Sequence, residues 1–151
     1  SGKVQARGRT MATMTHPSPH FCAALLAGLL VAGAATPAFA ADTSATQQRE
    51  RWSAQAGAPG NADRGQRLFT TRQGGEWSCS SCHHSPPTTR GQHASTGKPI
   101  APLAPAFNRE AFTDTAKVDK WFRRNCKDVL SRECSAGEKA DLLAYLNSLK
   151  P

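Results

Sequence analysis

Methionine is nearly missing from this chain of 151 residues. It has two, Met11 and Met14, so nothing after position 14 offers a thioether to a soft metal. No segment alternates apolar and polar residues with the period of two that a half-buried strand needs, and no segment repeats. Both absences argue for an all-helical chain. A run of ~20 apolar residues, the length that spans a bilayer, is also missing. The longest apolar stretch, Phe21 to Ala35, is shorter and uncharged, and Thr36-Pro37-Ala38-Phe39-Ala40 follows it. Ala38-Phe39-Ala40 has the small-x-small form of a signal-peptidase site, so cleavage is expected before Ala41. That divides the chain into an N-terminal extension with a signal peptide (1–40) and one domain (41–151). The extension is not ideal for export. No Lys or Arg lies between Met11 and Phe21, and Lys3, Arg7 and Arg9 all precede Met11. Cys22 stands at the start of the apolar run, the wrong end for a lipid-modified cysteine. The expected destination is the periplasm.

What is present reads as helices around a long loop. Ser44 to Ala56 predicts a first helix with Trp52 as its apolar anchor, closed by Gly57-Ala58-Pro59-Gly60. Asn61 caps a second, running to Arg72, in which Gly65 and Phe69 share a face and are expected to meet Tyr145. Ser85 to Asn108 carries Pro86, Pro87, Pro99, Pro102 and Pro105, which remove backbone donors and forbid a helix or central strand. An ordered loop of that length in a small domain wraps something. A third helix, Thr115 to Leu130, starts from Asp114, and Ser135 with Glu138 forms a capping box for a last helix carrying Leu142, Leu143, Leu146 and Leu149.

The most specific motif is Cys79-Ser80-Ser81-Cys82-His83. In C-x-x-C-H each thiol adds to one vinyl group of haem, and spacings of three and four set both sulfurs and the imidazole on one side of a turn. Cys79 and Cys82 are therefore the predicted attachment points of a single covalent haem c, and His83 its axial iron ligand. A thioredoxin-like pair would need a preceding buried strand in a βαβ frame, and none is visible. A zinc site would need two further ligands, for which Cys126 and Cys134 are badly spaced. His84 cannot share the face of His83 and is read as exposed. A carbonyl within Ser85–Pro87 is the expected partner for the second ring nitrogen of His83. Trp77 and Trp121 are expected against the haem, with Arg123, Arg124 or Lys98 near its propionates or else solvated.

Small electron-carrying cytochromes c commonly use methionine as second axial ligand. With both methionines in the export segment, that centre is excluded here. His93, Lys98 and a polar side chain on the third helix remain. Val118, Trp121, Phe122 and Val129 mark that helix's expected buried stripe, and Asn125, seven residues after Val118, falls within it. Two readings stay open for a buried amide: a structural asparagine bonded to backbone, or a carbonyl oxygen on iron, a hard and weak donor better matched to ferric than ferrous iron.

From Trp52 to Leu149 the chain resembles the sphaeroides haem proteins, small class I c-type cytochromes. The segments that carry the resemblance are GAPGNADRGQRLF, CSSCH, TGKPIAPLAP, FTDTAKVDKWFRRNC and ECSAGEKADLLAYL. It implies a class I cytochrome c fold with four to five helices around one haem and a long Pro-rich loop. It also implies Asn125 as sixth ligand, a Cys126–Cys134 disulfide, release of the asparagine on reduction, and binding of oxygen, nitric oxide or carbon monoxide. The implied partners are a dihaem cytochrome c and a membrane cytochrome b. For the disulfide there is also a case from the residues: both cysteines are spare after haem attachment, in a compartment that permits crosslinks, with free buried thiols as the alternative.

Residues 41–151 hold 16 Lys and Arg against 11 Asp and Glu, a net +5 compared with +8 for the full chain. The basic residues read as spread out, giving a solvated basic face or a docking face for an acidic redox partner. Nucleic acid is not an expected partner for an exported chain, and a monomer is expected. Three functions remain: an electron-transfer cytochrome that also binds small gases, a simple electron carrier, and a haem enzyme such as one that oxidises nitric oxide. No protein acid–base constellation is visible for the last.

Overall fold

In the computed structural model, which describes residues 41–151, Ser44 and Asn61 each open a helix by accepting a backbone N–H three residues on, from Gln47 and Arg64. The first, α1 (Ala45–Ala56), ends at Gly57, whose φ of 67° lets the backbone turn left-handed and close on Ala54 and Ser53. The second, α2 (Ala62–Thr70), stops two residues short of the expected Arg72. The Thr70 hydroxyl folds back onto the Gln66 and Arg67 carbonyls, and Thr71 is already extended. After α3 (Ser80–His83) come two short strands, β1 (Gly91–Gln92) and β2 (Pro99–Ile100), then α4 (Thr115–Leu130) and α5 (Ala136–Ser148). Asp114 caps α4, and the capping box of Ser135 and Glu138 opens α5, as expected.

The strands are a departure from the expected loop. They pair antiparallel, Gly91 with Ile100 and Gln92 with Pro99. With two residues each and both strands at an edge, the pair sacrifices no central ladder bond to Pro99. Pro87 is almost wholly buried, and its carbonyl accepts the N–H groups of Leu103 and Ala104, so the two limbs of the Pro-rich segment are tied together.

The core sits around α5, where residues 139–146 are all buried. At the crossing of α2 and α5, a Cβ on Gly65 would lie 1.9 Å from the Asp141 carbonyl oxygen, so only glycine fits there. Asp141 clamps the same crossing, accepting from the Asn61 N–H at 2.6 Å and from the Arg64 guanidinium at 2.8 Å. Phe69 and Tyr145 pack with ring centres 5.5 Å apart. Trp52 of α1 meets Phe122 of α4 edge-on at 6.2 Å, and the Lys139 ammonium lies 3.9 Å from the Trp52 ring centre. Arg51 pairs with Asp119, holding α1 to α4. No helix among the described residues is long and apolar enough to cross a membrane. The signal peptide and its cleavage point lie outside the described residues.

Candidate cofactor site

The Cys79–His83 turn is built from its own backbone and three serines. The N–H groups of Cys82 and His83 both donate to the Cys79 carbonyl, and that of His84 to Ser80. Buried Ser78 donates its N–H to Ser81 Oγ at 3.0 Å, and its hydroxyl lies 2.8 Å from that of Ser80. His84 takes φ 61°, which carries the chain out of the turn, and it is exposed as expected.

β1 braces this turn from outside. A Cβ on Gly91 would stand 2.1 Å from the Cys82 carbonyl oxygen and 3.1 Å from His83 Cα. The Ala94 N–H donates to Cys82 Sγ at 3.3 Å. The sequence offered Gly91 only as one loop residue among many. Its role needs the hairpin register, which local spacing does not encode.

Cys79 and Cys82 are both free thiols, half-buried. Burial pushes the Cys79 thiol up to about 11. That favours the neutral thiol, opposite to what a thiolate nucleophile or a zinc thiolate requires. Among the described residues no three His, Cys, Asp or Glu side chains come together to hold a metal ion. Burial, and then the neighbouring His84, lower the His83 pKa, so its imidazole stays neutral, the form that ligates iron. Phe69 packs near it, with ring centres 6.3 Å apart. His83 Nδ1 is buried without a hydrogen-bond partner. The carbonyl expected within Ser85–Pro87 does not reach it, and that of Pro87 is engaged by Leu103 and Ala104. Two free thiols and a half-buried imidazole on a single turn fit a haem that would be held by two thioethers and one histidine nitrogen.

The rest of the site comes from α4. Its inner face, Val118, Phe122 and Cys126, enters the core, and Cys126 shares an apolar cluster with Phe69, Tyr145 and the attachment cysteine Cys79. Cys126 joins Cys134 in a disulfide with Cα atoms 5.5 Å apart, which ties α4 to the residue before the α5 cap. The expected burial of Trp121 and Asn125 is not found: Trp121 is 46% exposed and Asn125 is exposed. At 100° per residue Asn125 stays nearly in line with Val118, but Val118 is buried and Asn125 is not, while residues of α1 and α5 pack on Phe122. A buried, backbone-bonded structural asparagine is thus not what the structure shows.

The other named residues fall outside this geometry. Trp77 is half-buried just ahead of the turn. His93 accepts the Ser95 and Thr96 N–H groups on Nδ1, which makes it the organiser of its own turn. Lys98 is exposed.

Comparison with known proteins accords with this layout. A family model described as "Domain of unknown function (DUF1924)" matches residues 55–146. The cytochrome c-type protein SHP of Cereibacter sphaeroides is 50% identical over 122 residues, which span 78% of this chain and 94% of that protein. The structure of oxidised SHP, described as an oxygen-binding cytochrome c, superposes with a TM-score of 0.67 at 48% identity, covering 72% of this chain and 99% of the other. The solution structure of cytochrome c'' from Methylophilus methylotrophus, presented for its insight into haem-ligand detachment, gives a TM-score of 0.59 at 36% identity, covering 71% and 94%.

Proposed function

Because the chain belongs to the sphaeroides haem protein family of c-type cytochromes and carries covalent haem c, we propose that it is a periplasmic electron-transfer cytochrome with an iron site that a diatomic gas can enter. Cys79 and Cys82 would hold the haem as thioethers, and His83 would supply a nitrogen that stays on the iron. Asn125 would supply a second, displaceable oxygen donor. The haem, when bound, supplies a one-electron couple and a coordination position for oxygen, nitric oxide or carbon monoxide.

The observation that supports the Asn125 assignment is that its chain neighbour Cys126 belongs to the apolar cluster against which Cys79 packs. In this reading the exposed amide, on a helix crosslinked by the Cys126–Cys134 disulfide, would be the group that reaches the haem. A neutral amide oxygen is a hard, weak donor, so it holds ferric iron better than ferrous. A carrier that had to exchange a ligand at each redox step would be slow, which disfavours the simple-carrier alternative. Ligand detachment in the cytochrome c'' relative and oxygen binding by the SHP relative support the same reading. We assign the dihaem cytochrome c and membrane cytochrome b as redox partners on the family resemblance.

Adding carbon monoxide or nitric oxide to the reduced protein tests this. The account expects a high-spin ferric spectrum and a Soret shift on gas addition. A low-spin ferric protein that is inert to both gases after reduction would instead make it a simple carrier.

A further inference from the structure

The basic residues are not spread as their linear order suggested. Lys120, Arg123, Arg124 and Lys127 stand at i, i+3, i+4 and i+7 on α4, a single helical stripe about 10 Å long at 1.5 Å per residue. Counted at 100° per residue, the stripe lies on the side away from Val118, Phe122 and Cys126. With Ser131, Arg132 and Glu133 it lines an open depression of about 540 Å³. Its acids are few. Glu133 is the only carboxylate lining the depression, and Asp128 reaches Arg124 at 3.9 Å. Arg132 is already paired with Glu138. Lys120, Arg123 and Lys127 have no carboxylate within ion-pair range among the described residues.

We propose that this outer face of α4 is the docking surface for an acidic electron-transfer protein, a proposal that rests on the electron-transfer reading above. Two features favour a protein carboxylate surface. The stripe carries two arginines, whose planar forks pair carboxylates bidentately, next to an exposed aromatic, Trp121, with Lys120 and Arg124 at 5.7 and 5.6 Å from its ring centre. The opposite side of the same helix lies in the cluster that contains Cys79. A partner seated on the stripe therefore lies across one helix, ~10 Å thick, from the cluster against which Cys79 packs. Net positive charge focused over the electron's exit also steers association.

The test uses the haem-loaded ferrous protein and cupric plastocyanin bearing an acidic patch. One electron passes from ferrous iron, which becomes ferric, to Cu(II), which becomes Cu(I). The second-order rate should fall about tenfold or more from low to high salt. Lys120→Glu/Lys127→Glu should be at least about tenfold slower at low salt, while Arg67→Glu/Lys150→Glu, with the same change in net charge, should stay within about twofold of wild type. Equal slowing of both variants would show that only net charge matters and would overturn the proposal, as would a patch variant as fast as wild type. Capture of the wild type, but not the patch variant, by phosphatidylglycerol vesicles with no effect on the plastocyanin rate would assign the stripe to a membrane instead. Ferricyanide separates the two levels. If it oxidises all forms while plastocyanin shows no preference, docking fails and electron transfer stands; if it oxidises none, both fail.

Discussion

The Cys79–His83 turn and the C-terminal half of α4 share an apolar cluster, yet they are secured in different ways. The turn is held by short-range bonds: backbone N–H groups on Cys79 and Ser80 carbonyls, serine hydroxyls on one another, and Gly91 pressed against Cys82. The α4 segment has an exposed flank at Trp121 and Asn125 and depends on one crosslink between residues eight apart. A ligand on the first element is fixed by geometry that one side-chain change rarely undoes. A ligand on the second is held by fewer local contacts. That is the difference the proposed roles of His83 as the lasting ligand and Asn125 as the displaceable one require.

The largest effect is expected at the turn. Cys79→Ser/Cys82→Ser should abolish covalent haem, read as loss of haem staining on a denaturing gel, whereas no change on α4 should do so. Gly91→Ala should sharpen the contrast from outside. Its methyl would overlap the Cys82 carbonyl, costing up to about 3 kcal/mol in chemical denaturation by overpacking. Because the overlap is with backbone, it should also lower the yield of correctly attached haem.

Removing the crosslink with Cys126→Ser/Cys134→Ser should cost about 2.5 kcal/mol, the value for closing so short a loop. Haem staining should persist while the ferric spectrum becomes heterogeneous, because Asn125 loses its tether. An unchanged spectrum would mean that the disulfide does not position the ligand.

The helices and most of their caps were legible because those signals are local. Asp114, Ser135 and Glu138 act within three residues of where they stand, and α4 begins and ends where its pattern does. The overshoot of α2 came from Thr70, whose hydroxyl competes for helix carbonyls. The attachment turn was legible from one pentapeptide. What the residues concealed depends on distant partners: the Gly91–Cys82 approach, the engagement of the Pro87 carbonyl that leaves His83 Nδ1 alone, and the exposure of Asn125. The α4 charge stripe was present in the spacing but vanishes when charge is counted along the chain.

The smallest expected effect lies at the junction between the two helices. Glu138, which accepts from the Ser135 N–H and pairs with Arg132, has its pKa lowered from 4.5 to about 2, first by the Arg132 hydrogen bonds. A depressed carboxyl contributes stability that is fully present above the unfolded value and lost as pH falls towards about 2. Glu138→Gln should cost about 1 kcal/mol at neutral pH and flatten the acid limb of the stability profile. A mutant profile as steep as the wild type in that window would assign the slope to another carboxylate.

The most direct test of the central claim is a carbon monoxide titration of reduced Asn125→Met beside the wild type. If Asn125 is the ligand that leaves, a retained methionine should compete for iron, turn the ferric spectrum low-spin, and raise the apparent Kd about 100-fold if it occupies the site 99% of the time. Equal gas affinity and equal ferric spectra in the two proteins would contradict the account.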